Sequence, residues 1–159
     1  MLKRQVGFTL IELVIVVTIL GLLAGFALPK FASLQADARL AKMTSAMGSV
    51  KSAAAMAHAA LLTRGFDANF TGTPSPAIVV EGTTVVYTNG YPDAASIVAL
   101  AGLSADYVTT GLTAPRIAAP DSSHTGATAA SDCTIGYAAP AAANTQPTYT
   151  MNATVSNCT

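Results

Sequence analysis

One carboxylate in this chain stands where a charge is expensive. Glu12 lies five positions into the apolar run Phe8–Leu28, and no Lys or Arg falls within that run. A carboxylate in lipid or in a dry protein interior needs a partner, because an unpaired buried charge is strongly unfavourable. The partner of Glu12 must therefore come from outside its own apolar segment. Cys133 and Cys158 are the only cysteines, both in the last fifth of the chain. Beside an export-type N-terminus, an isolated pair reads as one disulfide in an oxidising compartment, the alternative being two buried free thiols.

The remaining reactive side chains do not converge. His58 falls on a helical stretch and His124 in a loop, and His58 reads as a packing or surface residue. No Cys/His cluster has metal-ligand spacing. Asp93, Asp106, Asp121 and Asp132 are spread singly, without the pattern of a calcium loop. A lone calcium site is the alternative there. Asn69-Phe-Thr71, Asn152-Ala-Thr154 and Asn157-Cys-Thr159 match the glycosylation sequon, which in a Thr-rich chain of bacterial export type reads as chance. There is no phosphate-binding glycine loop, no catalytic constellation and no implied cofactor. The expected class is not an enzyme.

The elements that must position Glu12 begin with a short basic head. Residues 1–7 read MLKRQVG, and Lys3 and Arg4 should stay cytoplasmic. The 21 residues from Phe8 to Leu28 would make a helix of about 32 Å, enough to cross a hydrocarbon core of about 30 Å. A secretory signal has a shorter apolar stretch with its small residue behind it. Here the small residue, Gly7, comes first. Gly21 and Gly25 form a small-xxx-small pair ahead of Pro29, at once a packing face and a weak point. The chain is 52% apolar and only 10% charged, with a net charge of zero. That balance gives no electrostatic case for nucleic acid.

The stretch Gly7-Phe8-Thr9-Leu10-Ile11-Glu12 resembles the class III signal of type IV pilins and pseudopilins. Basic head, Gly before Phe, Glu at the family's offset and a long apolar helix agree together. The resemblance implies that a membrane peptidase, the prepilin peptidase, cuts after Gly7 and N-methylates Phe8. It also implies that the freed Phe8 amine of one subunit neutralises Glu12 of a neighbour and so sets axial register. An α-amino group with a reference pKa near 8 is largely cationic at neutral pH. The alternative is that Glu12 is a tolerated polar residue near the membrane interface. In the family the segment ending at this proline can unwind inside the assembled filament, which carries over to Gly21–Pro29. Pro29-Lys-Phe31, Leu34-Gln35, Asp37-Ala-Arg39 and Asn89-Gly-Tyr-Pro92 resemble mannose-sensitive haemagglutinin-type pilins in particular. Pilins commonly tie their C-terminal region with a disulfide, and Cys133 and Cys158 match that placement.

From Lys30 the pattern becomes amphipathic. Leu40, Met43, Met47, Val50, Ala54, Ala57 and Leu61 recur at spacings of three and four, an apolar stripe with Asp37, Arg39, Lys42 and Lys51 off it. The helix should end near Thr63 with Gly65 as its stop, about 80 Å from Phe8 if continuous. The stripe would dock a head, or alternatively form a coiled-coil seam. Ala77–Val80 and Thr83–Tyr87 flank Glu81-Gly82 as a hairpin, followed by a turn over Thr88–Pro92 and a short helix over Asp93–Leu103. Cys133–Tyr137 and Thr148–Val155 read as strands, with Tyr149, Met151, Ala153 and Val155 on one buried face. Residues 111–131 and 138–147 read as loops.

The expected fold is α+β: a long N-terminal helical spine, kinked near Pro29, with an antiparallel sheet of about four strands on its C-terminal half. Its segments are a leader (1–7), a hydrophobic membrane and filament-core helix (8–29), an amphipathic helix (30–63) and a β-rich head (64–159). The expected function is a structural subunit of a type IV pilus used in surface adhesion or motility. Its partners would be other copies, the prepilin peptidase, an inner-membrane assembly platform and, before assembly, the membrane. The alternatives are a type II secretion pseudopilin, or a minor tip pilin binding DNA or a surface ligand. The disulfide favours the pilin, since the common major pseudopilin uses a C-terminal calcium site. The head after Gly65 has only Arg116 as a base, which counts against DNA.

Overall fold

The computed structural model describes residues 8–112, 114–122 and 132–159. The leader, Gly7 and His124 lie outside the described residues. One helix, α1 (Leu10–Thr63), makes up the spine. Its start is fixed locally. Thr9 is extended and caps the helix, its hydroxyl accepting from the Glu12 N–H, while Glu12 reaches back to the Thr9 N–H. This reciprocal box satisfies two of the donors that a helix start leaves open. The stop is equally local. Gly65 has φ +77°, its N–H donates to Leu62 O at 2.9 Å, and Phe66 N–H donates to Leu61 O at 3.4 Å. That is a Schellman ending, with Phe66 packed beside Leu61.

α1 runs unbroken through Gly21, Gly25 and Pro29. The single chain therefore holds helix across the expected kink, although Pro29 has no N–H to offer the carbonyl of Gly25. The unwinding inferred from the resemblance concerns the assembled state.

The head packs on the stripe that the 3–4 spacing marks. Met43, Met47, Val50, Ala54, Ala57 and Leu61 are buried, joined by Ala36, Ala46 and Ala53, while Leu40 is partly covered. The seam is closed by the chain's own head. Two hairpins come first: β1 (Val79–Val80) with β2 (Thr83–Thr84), and β3 (Tyr87–Thr88) with β4 (Tyr91–Pro92). Glu81 and Asn89 take positive φ at their tips, as tight two-residue hairpin turns require. α2 (Ala94–Leu100) follows, capped by Asp93, whose carboxylate accepts from Ser96 N–H at 2.7 Å. β5 (Arg116–Ala118), β6 (Ile135–Ala138) and β7 (Thr148–Met151) form an antiparallel sheet with β6 in the centre.

Four expectations are corrected. The head is not one sheet of about four strands but a three-stranded sheet and two hairpins. Thr83–Tyr87 is divided, because Val85 turns into the core and Tyr87 pairs with Pro92 instead. The expected loop 111–131 contains β5, which its composition hides: Arg116-Ile-Ala is no β-branched run, and its pairing with β6 comes from tertiary context. β7 also ends earlier than expected. Tyr149 and Ala153 turn inward, but Met151 and Val155 are exposed.

Two core clusters result. One joins Met43, Met47 and Val50 to Ile97, Ile117, Ile135 and Tyr137. The other joins Ala57 and Leu61 to Ile78, Val85 and Tyr87. Alanines on the stripe let the head approach the helix backbone, and Tyr87 OH donates to Ala57 O at 3.0 Å.

Candidate assembly site and its supports

Glu12 stands in the first turn of α1, on a segment that is not buried against the rest of the described residues. The large apolar side chains Phe8, Leu10, Ile11, Leu13 and onward through Phe26, Leu28, Phe31 and Leu34 are exposed. α1 is long and apolar enough to cross a membrane, and its most apolar window has no residue buried against the rest of the molecule. Within it, Glu12 Oε2 accepts from the Thr9 N–H at 3.2 Å and from the Thr9 hydroxyl at 2.9 Å. Both bonds fall on one oxygen. Oε1 therefore keeps its lone pairs for a further donor. Phe8 precedes the helix by two residues, so an amine on it lies beside the turn that Glu12 occupies. Sequence reading missed the box, although Thr-x-x-Glu before an apolar run is its signature.

The other singled-out residues are brought into pairs. Cys133 and Cys158 are bonded, with Cα atoms 4.9 Å apart, and both are fully buried. The bond ties the end of the chain to the start of the central strand. Arg39 reaches the same point from the spine, with Nε 3.1 Å from Asp121 Oδ2 and Nη1 donating to Cys158 O at 3.1 Å. Lys42 donates to Pro120 O at 2.9 Å and to Asp106 O, and lies 4.7 Å from the Tyr107 ring centre. These off-stripe bases hold the loops around β5. Asp132 is not single: it forms a buried ion pair with Arg116, whose side chain is only 5% exposed. The base that stood alone in the head is thus spent internally.

His58 packs, as expected. Its ring stacks on Tyr91 at 4.3 Å, and Nδ1 lies 2.7 Å from Gly90 O. Gly90 sits so close to Ala68 O that a Cβ would lie 1.8 Å away. Burial pushes the Tyr137 phenol well up, and its OH donates to Pro92 O at 2.7 Å. Among the described residues no group of three His, Cys, Asp or Glu could hold a metal ion.

One comparison with known proteins meets the chain at this same end. The family model for the prokaryotic N-terminal methylation motif matches residues 2–28. A fimbrial protein of Pseudomonas aeruginosa is 43% identical over 53 residues, 33% of this chain and 34% of that protein. Fimbrial protein EcpB of Eikenella corrodens is 46% identical over 50 residues, 31% of each chain. The type IV narrow pilus major component PilA5 of Thermus thermophilus is 44% identical over 54 residues, 34% of this chain and 47% of that protein. The chain spans about a third of the length of the first two and about half of the third. No solved structure is significantly similar to it. The chain thus carries the prokaryotic N-terminal methylation motif over residues 2–28 and is similar, over about a third of its length, to fimbrial and type IV pilus proteins. Its architecture is α+β, a long helix with a small β head.

Proposed function

We propose that the chain is a structural subunit of a type IV pilus, not an enzyme. It is held in the inner membrane by residues 8–28 and polymerises into an extracellular filament that serves adhesion or motility. The observation that carries this reading is the exposed apolar half of α1 with one carboxylate near its start. A lone chain in water cannot cover that surface, and a membrane covers it without answering Glu12. Other copies answer both: their helices bury the apolar faces, and the Phe8 amine of one meets the open oxygen of Glu12 on another. Cleavage after Gly7 by a prepilin peptidase frees that amine, which is then N-methylated. An inner-membrane assembly platform adds the subunits. Gly21, Gly25 and Pro29 form the stretch that unwinds as helices pack. Similarity to the mannose-sensitive haemagglutinin type rests on residues 29–39 and 89–92.

The test is electron microscopy of fibres sheared from cells, with mass spectrometry of the subunit's first residue. Fibres built of this chain, beginning at N-methyl-Phe8, are expected. A cellular protein that starts at Met1 and forms no fibre refutes the reading. Glu12→Ala should leave processing intact and abolish fibres; a normal fibre yield removes the register argument.

A further inference from the structure

An apolar recess opens on the side of the head, at the edge of the core cluster that holds Ala57. Its floor is Ala57 and Ala60 of α1, and its walls are Met56, Val80 and Leu100, with Glu81 at the rim. It holds about 230 Å³, room for one large side chain. Met56 is 61% exposed beside it, so an apolar wall stands open to solvent in the single chain. Water gains nothing from such a lining, and covering it is favourable.

The same chain carries a matching surplus elsewhere. Phe31 and Leu34 are 62% and 59% exposed, and both lie beyond the Phe8–Leu28 run. Membrane therefore does not account for them. The chain's own head does not cover them either, because the docked stripe begins at Ala36. At about 100° per residue, Leu28, Phe31 and Leu34 share an arc turned roughly 130° from Ala36, Met43, Met47 and Val50. Lys30 adjoins Phe31, and Glu81 rims the recess, so the two surfaces carry opposite charge.

We propose that the recess receives Phe31 of a second copy, with that copy's Lys30 against Glu81. The proposal rests on the filament reading. Phe31 and Met56 are 25 positions apart in the sequence, about 38 Å along a helix at 1.5 Å per residue. Two parallel spines offset by that length bring Phe31 of one level with the recess of the other. An offset set by Phe8 and Glu12, four positions apart, is only about 6 Å of helix. The partner in the recess is therefore not the nearest copy but one several steps further along the fibre. The recess would give the filament a long-range contact in addition to the short-range pair at the amine.

The experiment uses the full chain in cells. F31C and M56C are made singly and together, and sheared fibres are oxidised and run without reductant. The native cysteines are already bonded to each other, which leaves the new thiols to report. Covalent dimers and higher ladders from the double variant, with neither single variant laddering, are expected. Fibres that form from the double variant without a ladder overturn the inference while leaving the filament reading intact. No fibres from the unmodified chain overturn the filament reading itself. If F31C blocks assembly, charge reversal decides. Glu81→Lys should lower fibre yield, and Lys30→Glu added to it should restore the yield. A Glu81→Lys chain that assembles normally, or a loss that Lys30→Glu does not relieve, also overturns the contact.

Discussion

Removing the disulfide should loosen the head by an amount that can be worked from its loop. Cys133 and Cys158 are 25 positions apart. In the chain-entropy model a loop of that length removes about 12 cal/mol/K from the unfolded ensemble, or about 3.5 kcal/mol at 25 °C. Domains of this size are stable by only about 5–15 kcal/mol, so the bond is a large part of the whole. The structure adds a second consequence. Cys158 O is the acceptor for Arg39, so a freed C-terminus also leaves the spine. The assay is urea unfolding of the full chain in detergent micelles, read by the near-ultraviolet signal of its five tyrosines. With a slope of about 1–3 kcal/mol/M, the Cys133→Ser/Cys158→Ser variant should unfold about 1–3 M earlier. Reduction of the unmodified chain should give a similar shift. Coincident midpoints for oxidised chain, reduced chain and double variant would refute the reasoning, and with it the idea that the head is stapled.

The head should also weaken in alkali. Burial raises the phenols of Tyr137, Tyr149, Tyr107 and Tyr87 above the ordinary value. The unfolded chain therefore ionises first, near pH 10, and binds fewer protons than the native one above that pH. Stability is thus complete below about pH 10 and falls as pH rises through it. Tyr137→Phe should cost about 1 kcal/mol at neutral pH through the lost bond to Pro92 O, while making the alkaline fall shallower in the same urea assay. Gly90→Ala should destabilise by about 1–3 kcal/mol, since φ is +84° and its Cβ meets Ala68 O at 1.8 Å. Gly48→Ala, helical and with nothing within 4 Å of its Cβ, should instead stabilise by about 0.5–1 kcal/mol. Gly7→Phe should block cleavage and leave an uncleaved band on immunoblots, whereas efficient processing would disprove the cut site.

The spine was legible because its signals are local. The stripe from Met43 to Leu61, the stop at Gly65 and the Glu81-Gly82 hairpin all follow from periodicity or turn chemistry within a few residues. The head was legible only in part, because its strands are two to four residues long. Strands that short carry little pattern of their own, and β5 exists through its register with Gly136 and Ile135. The pairs were hidden for the same reason. Arg39 meets Cys158 O across 119 positions, and Lys42 meets Pro120 O across 78. Spacing along the chain places such side chains on a face but does not say what folds over them. Glu12 is the opposite case. Its isolation in an apolar run is itself the signal, and the Thr9 box that holds one of its oxygens sits three residues away.

The central claim is that one copy's Phe8 amine answers another copy's Glu12. A side-chain-resolution reconstruction of the native fibre measures it directly. The account predicts the Phe8 nitrogen of one subunit within salt-bridge distance of a Glu12 oxygen on a neighbour, at every repeat. Fibres in which Glu12 faces only its own chain, or in which the subunits still carry residues 1–7, would contradict it.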